Sequence, residues 1–240
     1  MSADLQADAL EAAMPGRPLR CYPALIATEA VGLDWARADA PSGAVVVAGH
    51  QISPRGRAGW PWTLEPGIGV VFSLILRVRL PIAREGWLYT VASCALADVA
   101  GTGASIRWPD EVHRDGSRVG AVGIQADLSP NKHWALLTVL LADALPPRAR
   151  RIAETVLAIE ARLAQEPEIV MTDHRTRLST VGTELRARLL PTGEVSGTAI
   201  GTLRDGALLL ETPEHRRVAV LPQGLAEWQE ADSALEGREF

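Results

Sequence analysis

Two stretches of this 240-residue chain gather groups suited to holding an anion. The first is Gly49 to Trp62, GHQISPRGRAGWPW. Its glycines let the backbone fold over a phosphate and present N–H groups, and its arginines, Arg55 and Arg57, can bind phosphoryl or carboxylate oxygens through two parallel bonds. The second is Ile106 to Gln125, IRWPDEVHRDGSRVGAVGIQ. It carries Arg107, the acidic pair Asp110-Glu111, and then Arg118 at the head of a small, apolar run. Small residues such as Gly120 admit another backbone or a ligand at close range. Arg118 reads in two ways: as a contact to phosphate or carboxylate, or as a structural arginine at a strand end.

The elements that must position these groups follow from the pattern around them. Asp115-Gly116 marks a tight turn, so Ile106 to Gln125 folds as two strands of a hairpin. Ala44 to Ala48 is a β-branched run and reads as a buried strand; Gly67 to Leu80 and Trp134 to Ala142 read as long central strands. Tyr22 to Thr28 is a further strand candidate, and Glu29 to Ala38 a helix. Gly86 to Ala100 places Trp87, Leu88, Val91, Cys94 and Ala95 at helical spacing, as a buried helix behind the sheet. Pro147 opens a helix reaching Gln165, with Ile152, Val156, Ile159 and Leu163 in one stripe. Glu168 to Val181 shows no clean period and reads as a connection. Glu184 to Val220 then changes character: four short strand candidates separated by turn signals at Pro191-Thr192-Gly193, Asp205-Gly206 and Pro213-Glu214, the signature of a small barrel.

Composition limits the function classes. A hydrophobic content of 47% and a charged content of 22% describe an ordinary globular protein, and a net charge of −5 points to no general nucleic-acid or membrane surface. The N-terminal residues are acidic where a secretory signal is basic, and the apolar run Ile68 to Leu76 is cut by Arg77 and Arg79, so the expectation is a cytoplasmic chain without a membrane span. Leu5 to Met14 is a helix candidate too short for a helix-turn-helix DNA reader. Cys21 and Cys94 stand in no metal-ligand spacing, which indicates a reducing compartment. Cys94 could carry an acyl thioester, but an apolar helix raises a thiol pKa. Lys132 is the single lysine.

Taken in order, these motifs resemble the biotin and lipoate protein ligase family. Gln51, Arg55, Gly56, Arg57, Gly59 and Trp62 fall in register with that family's loop Q-x-x-G-R-G-R-x-G-R-x-W; Pro54 and Trp60 replace a glycine and an arginine. Arg107-Trp108-Pro109-Asp110-Glu111 matches K-W-P-N-D, and Arg118 to Val122 matches K-L-A-G-I, with both lysines become arginine. Thr28-Glu29-Ala30 stands where the family has Ser-Thr-Asn, and Ala135 to Leu140 replaces a G-x-G-x-N with bulkier residues. Gly206 to Glu211 resembles the C-terminal Src-homology-three-like barrel of bacterial members. The resemblance spans about Tyr22 to Leu221.

It implies an α+β fold, a mixed β-sheet with helices packed on it and then a small C-terminal Src-homology-three-like β-barrel. The expected divisions are an extension at 1–20, a ligase-like domain at 21–180, the barrel at 181–228 and an acidic tail at 229–240. It implies Arg118 and Arg107 as catalytic groups and Gln51, Arg55, Gly56, Arg57, Gly59, Trp62, Trp108 and Gly120 around ligand and adenylate. Glu111 and Asp110 are the metal candidates; the alternative is a solvated acidic pair. The two tryptophans are pocket wall or plain core. The implied partners are ATP and Mg²⁺, biotin or lipoate, a biotinyl or lipoyl carrier domain and, in some members, a second copy in a homodimer. The reading divides between an ATP-dependent ligase and a ligase-derived binding or scaffold protein without catalysis.

Overall fold

The computed structural model describes residues 2–64 and 67–230. Its larger sheet has seven strands: β1 (Leu19–Tyr22), β2 (Ala44–Ala48), β3 (Val70–Arg77), β4 (Ser105–Arg107), β5 (Glu111–Arg114), β6 (Ser117–Asp127) and β7 (Trp134–Leu141). They lie in the order β1-β2-β3-β7-β6-β5-β4. Only β1 and β2 pair in parallel; every other pairing is antiparallel, so the sheet is mixed.

Strand alternation gives the sheet two different faces. On one, Phe72, Leu74, Val122, Leu137 and Val139 join the large core under α3 (Trp87–Ala100) and α4 (Arg148–Ala164). Burial along nearly the whole of α3 accounts for its nearly all-apolar composition. On the other face, α2 (Thr28–Arg37) packs through Ala36 onto Ile75 and Leu136. The short helix α1 (Ala7–Ala13) closes one side, with Leu5, Leu10 and Met14 buried in the large core.

The hairpin forms as the Asp-Gly signal requires. Asp115 and Gly116 both take positive φ, 52° and 77°, the combination a two-residue turn needs between twisted strands. The preceding turn, with a cis peptide at Trp108-Pro109, returns β4 onto β5, pairing Arg107 with Glu111.

The second sheet is antiparallel: β8 (Glu184–Leu189), β9 (Glu194–Thr202), β10 (Leu208–Glu211), β11 (Arg217–Val220) and β12 (Leu225–Glu230), in the order β11-β10-β9-β8-β12. It forms a small β-domain held to the hairpin through Trp108. That indole is 2% exposed, and its Nε1–H donates to the Gly206 carbonyl at 2.9 Å. The Trp108 carbonyl accepts from Trp228 Nε1–H, also at 2.9 Å.

Three expectations need correction. The stretch after Glu166 contains a helix, α5 (Pro167–Arg177), where a connection is expected. It buries only Val170, Met171 and His174, so the apolar stripe is too narrow to register. The β-domain has a fifth strand, β12, beyond the four expected. Tyr22 to Thr28 is mostly irregular; the strand there ends at Tyr22, and α2 begins at Thr28. Of the acidic tail, Gln229 and Glu230 belong to β12, and 231–240 lie outside the described residues.

Candidate functional site

The Gly/Arg loop lies across the α2 face of the sheet, over β6. Its composition leads one to expect a segment with little to pack against. It is instead tied at several points. Gln51 Oε1 accepts from the Thr28 N–H at the start of α2, and its Nε2 donates to the Val71 carbonyl at 2.7 Å. Gly56 N–H donates to the Trp60 carbonyl, and Trp62 N–H to the Pro54 carbonyl. Trp62, 8% exposed, packs with Val71, Ala121 and Leu140 and lies against Gly56.

The closest approach is at Gly123. A Cβ there would stand 2.7 Å from the Gly56 carbonyl carbon and 2.9 Å from the Arg57 nitrogen, so only glycine lets the loop seat on the strand. Arg57 then turns its guanidinium inward. Nε donates to Asp110 Oδ1 at 3.1 Å, and Nη1 donates to the carbonyls of Leu225 and Ala226 on β12. Trp60 Nε1–H donates to the same Ala226 carbonyl at 3.2 Å. Burial pushes the Asp110 carboxyl up, against the pull of Arg57.

Two cavities flank Arg57. The first, about 460 Å³, lies between α2, the loop and β6, with Glu29, Arg55, Gln125, Thr138 and Tyr89 in its walls. Ser73, Thr138 and Gly123 are cross-strand partners; Thr138 and Gly123 line the cavity, and Ser73 is fully buried beside them. Ser73 Oγ donates to Thr28 Oγ1 at 3.0 Å and lies 3.2 Å from Thr138 Oγ1, a buried row of hydroxyls. Gln125 Nε2 donates to the Glu29 carboxylate. Burial raises the pKa of Glu29, with Arg55 opposing, and burial raises that of Glu85 in the same wall.

The second cavity, about 400 Å³, is enclosed by the loop, the hairpin and β12. Here each hairpin arginine meets a carboxylate. Arg118 Nη1 donates to Glu111 Oε1 at 2.9 Å, and Arg107 Nη2 donates to Glu230 Oε1 at 3.1 Å while stacking on the Trp228 ring 4.5 Å away. Burial of Glu111 works to raise its pKa, but hydrogen bonds from His113 and Arg118 outweigh it and leave the carboxyl below its usual value.

The structure thus brings Arg55, Gly56, Arg57, Trp62, Trp108, Asp110, Glu111, Arg107 and Arg118 around these two cavities, whereas Gln51 lines a separate pocket with His50, Trp62 and Leu64. Gly59 lines the first, with its carbonyl accepting from Arg55. Gly120 faces the other way, toward Leu96 of α3, 3.5 Å from a would-be Cβ. Gly123, Glu29, Gln125, Thr138 and Tyr89 are wall residues that sequence reasoning passed over. A polar residue at alternate positions of the expected strands, as at Gln125 and Thr138, is the signal that could have found the last strand positions. A protein-held magnesium ion would need the Asp110-Glu111 pair free. Glu111 engages His113 and Arg118, Asp110 engages Arg57, and among the described residues no group of three His, Cys, Asp or Glu gathers. The pair does not fit a resident cation in this arrangement, and we derive no step through one.

A mixed sheet carrying a glycine–arginine loop on one face, extended by a small antiparallel β-domain, is a fold this chain shares with solved biotin protein ligases. The biotin protein ligase of Aquifex aeolicus in complex with biotin and ATP superposes with a TM-score of 0.67 over 89% of this chain and 99% of that one, at 17% identity. No family model matches. In sequence, the chain is 29% identical over 237 residues to the bifunctional ligase/repressor BirA of Bacillus subtilis (strain 168), covering 85% of this chain and 73% of that protein. It is 27% identical over 196 residues to the biotin--[acetyl-CoA-carboxylase] ligase of Mycobacterium tuberculosis, covering 70% and 73%. In fold and in sequence the chain is thus similar to the biotin protein ligases.

Proposed function

We propose that the chain binds a biotin-type acid in the first cavity and its adenylate across Arg57 into the second, for transfer to a carrier-protein lysine. The observation that carries this reading is Arg57, which lines both cavities. In such a reaction the carboxylate of the acid attacks the α-phosphorus of ATP and pyrophosphate leaves. The lysine amine then attacks the acyl carbon and AMP leaves. Arg57 and Arg118 would balance charge on the α-phosphate, and the loop would shield the mixed anhydride from water. The first cavity favours biotin over lipoate: Glu29, Gln125 and Thr138 offer acceptors to ureido N–H groups, whereas a dithiolane supplies no donor.

A second reading, a binder without catalysis, draws on the same geometry. Arg57, Arg107 and Arg118 each already hold a carboxylate, and Leu136 and Leu140 fill the sheet face on either side of Thr138. Two measurements separate the readings. Biotin with ATP, each at 100 times its dissociation constant, should stabilise the fold by about 2.7 kcal/mol per bound ligand. Pyrophosphate release then reports adenylation, and Arg118→Lys should raise it if the guanidinium fork is misplaced. A thermal shift with biotin but silence in both proteins favours the binder. No shift with biotin, lipoate or ATP refutes both readings of the site.

A further inference from the structure

Asp110 matches a motif position that suggests a metal ligand, yet its surroundings suit another task. The Asp110–Arg57 pair is a largely buried ion pair between hairpin and loop, with side chains 12% and 11% exposed. The same guanidinium reaches two carbonyls of β12, so one side chain joins three segments far apart in sequence: loop, hairpin and β-domain. Trp60 repeats the loop-to-β12 tie from the rim. Arg57 Nη2 makes no hydrogen bond among the described residues, while the group sits on the wall between both cavities. An arginine fork fixed on Nε and Nη1 has a defined direction left for its remaining donors.

We infer that Asp110 is a positioning residue: it fixes Arg57, jointly with the β12 carbonyls, so that the free edge of the guanidinium faces an anionic group bridging the two cavities. This rests on the reading of the site as one for an acid and its adenylate, and it makes the β-domain a structural part of that site. A ligand carrying a phosphate or sulfamate draws on the fixed Arg57. Biotin alone, held by the first cavity, draws on it far less.

The test uses the full chain with Asp110→Asn, which keeps size and shape but removes the charge, and Trp60→Phe, which removes only the outer tie. Two readouts are taken. Limited trypsin digestion reports loop release directly, because Arg55 and Arg57 are themselves cleavage sites. Calorimetry measures biotin and its non-hydrolysable sulfamoyl adenylate separately. Losing one charge-assisted bond and the alignment it imposes should weaken the adenylate analogue about tenfold or more, with biotin changed less than about twofold. Cleavage after Arg57 should accelerate in Asp110→Asn and to a smaller degree in Trp60→Phe. Equal weakening of both ligands would mean that Asp110 merely supports the fold, and overturns the inference. If wild type binds neither probe, the functional reading fails on its own. The digestion arm still decides the positioning claim, which an unchanged cleavage rate in Asp110→Asn overturns.

Discussion

Substituting Gly123 by alanine tests the seating of the loop with a single methyl group. The added Cβ would meet the Gly56 carbonyl carbon at 2.7 Å, the Arg57 nitrogen at 2.9 Å and Gly56 Cα at 3.0 Å, all of them backbone atoms that no rotamer change can move. To reach an ordinary carbon–carbon contact of about 3.5 Å the loop must rise by roughly 0.8 Å. A rise of that size would stretch the Arg57–Asp110 bond, 3.1 Å long, beyond hydrogen-bonding range. The cost is that of overpacking, about 1–3 kcal/mol, with the upper end applying if the Arg57 contacts break. For a chain of this size that corresponds to a melting point lower by about 2–10 °C. The control is Gly120→Ala, three residues away on the same strand. Its Cβ would find its nearest neighbour at 3.5 Å, so the change should be nearly neutral. Calorimetry gives the two melting points, and hydrogen exchange follows the Gly56 amide, which donates to the Trp60 carbonyl. If Gly123→Ala melts with Gly120→Ala and the Gly56 amide exchanges at its original rate, the loop does not rest on β6 and the two-cavity geometry is wrong.

Three further outcomes follow from single groups. His174 is 1% exposed, and burial lowers its pKa to about 4, so it binds fewer protons folded than unfolded. Stability should therefore fall as pH drops from about 6.5 toward 4 and level off below, by about 3 kcal/mol in all; urea titrations should show that slope, and His174→Gln should remove most of it. Trp108→Phe keeps an aromatic ring but loses indole volume and leaves the Gly206 carbonyl without its donor, which should cost at least about 1–3 kcal/mol in chemical denaturation; an unchanged midpoint would mean that the indole does not anchor the β-domain. Cys94 is fully buried and its thiol is pushed up to about 12, whereas Cys21 is half-buried, so iodoacetamide should label Cys21 first, as mass spectrometry of a time course will show.

What could be read from the sequence was what local chemistry determines. The Asp115-Gly116 turn, the buried helix at Trp87–Ala100 and the strand Ala44–Ala48 depend on neighbours within a few residues, and they stand where the pattern puts them. The composition of the loop likewise marks it as a candidate for handling an anion. Its posture was not legible, because the partners of Arg57 lie 53 and 168 residues away along the chain, at Asp110 and Leu225. The run Gly120-Ala121-Val122-Gly123 illustrates a second limit. Small residues occupy both strand parities, so alternation alone does not say which glycine faces the loop, and the sheet register chooses Gly123. Helix α5 was lost for a related reason: one of its three inward residues is a histidine, and apolar periodicity does not count it.

Lys132 lies exposed at the turn between β6 and β7 and borders the same shallow depression as Gln125 and Arg37. As the only lysine in 240 residues, it leaves the molecule with a single side-chain amine. Under the proposed function, an activated acyl group escaping from the first cavity would find that one amine just beyond the Gln125 wall. The same arithmetic serves the experimenter: apart from the terminal α-amine, an amine-directed dye or crosslinker has one known side chain to attach to, and peptide mapping separates the two labels.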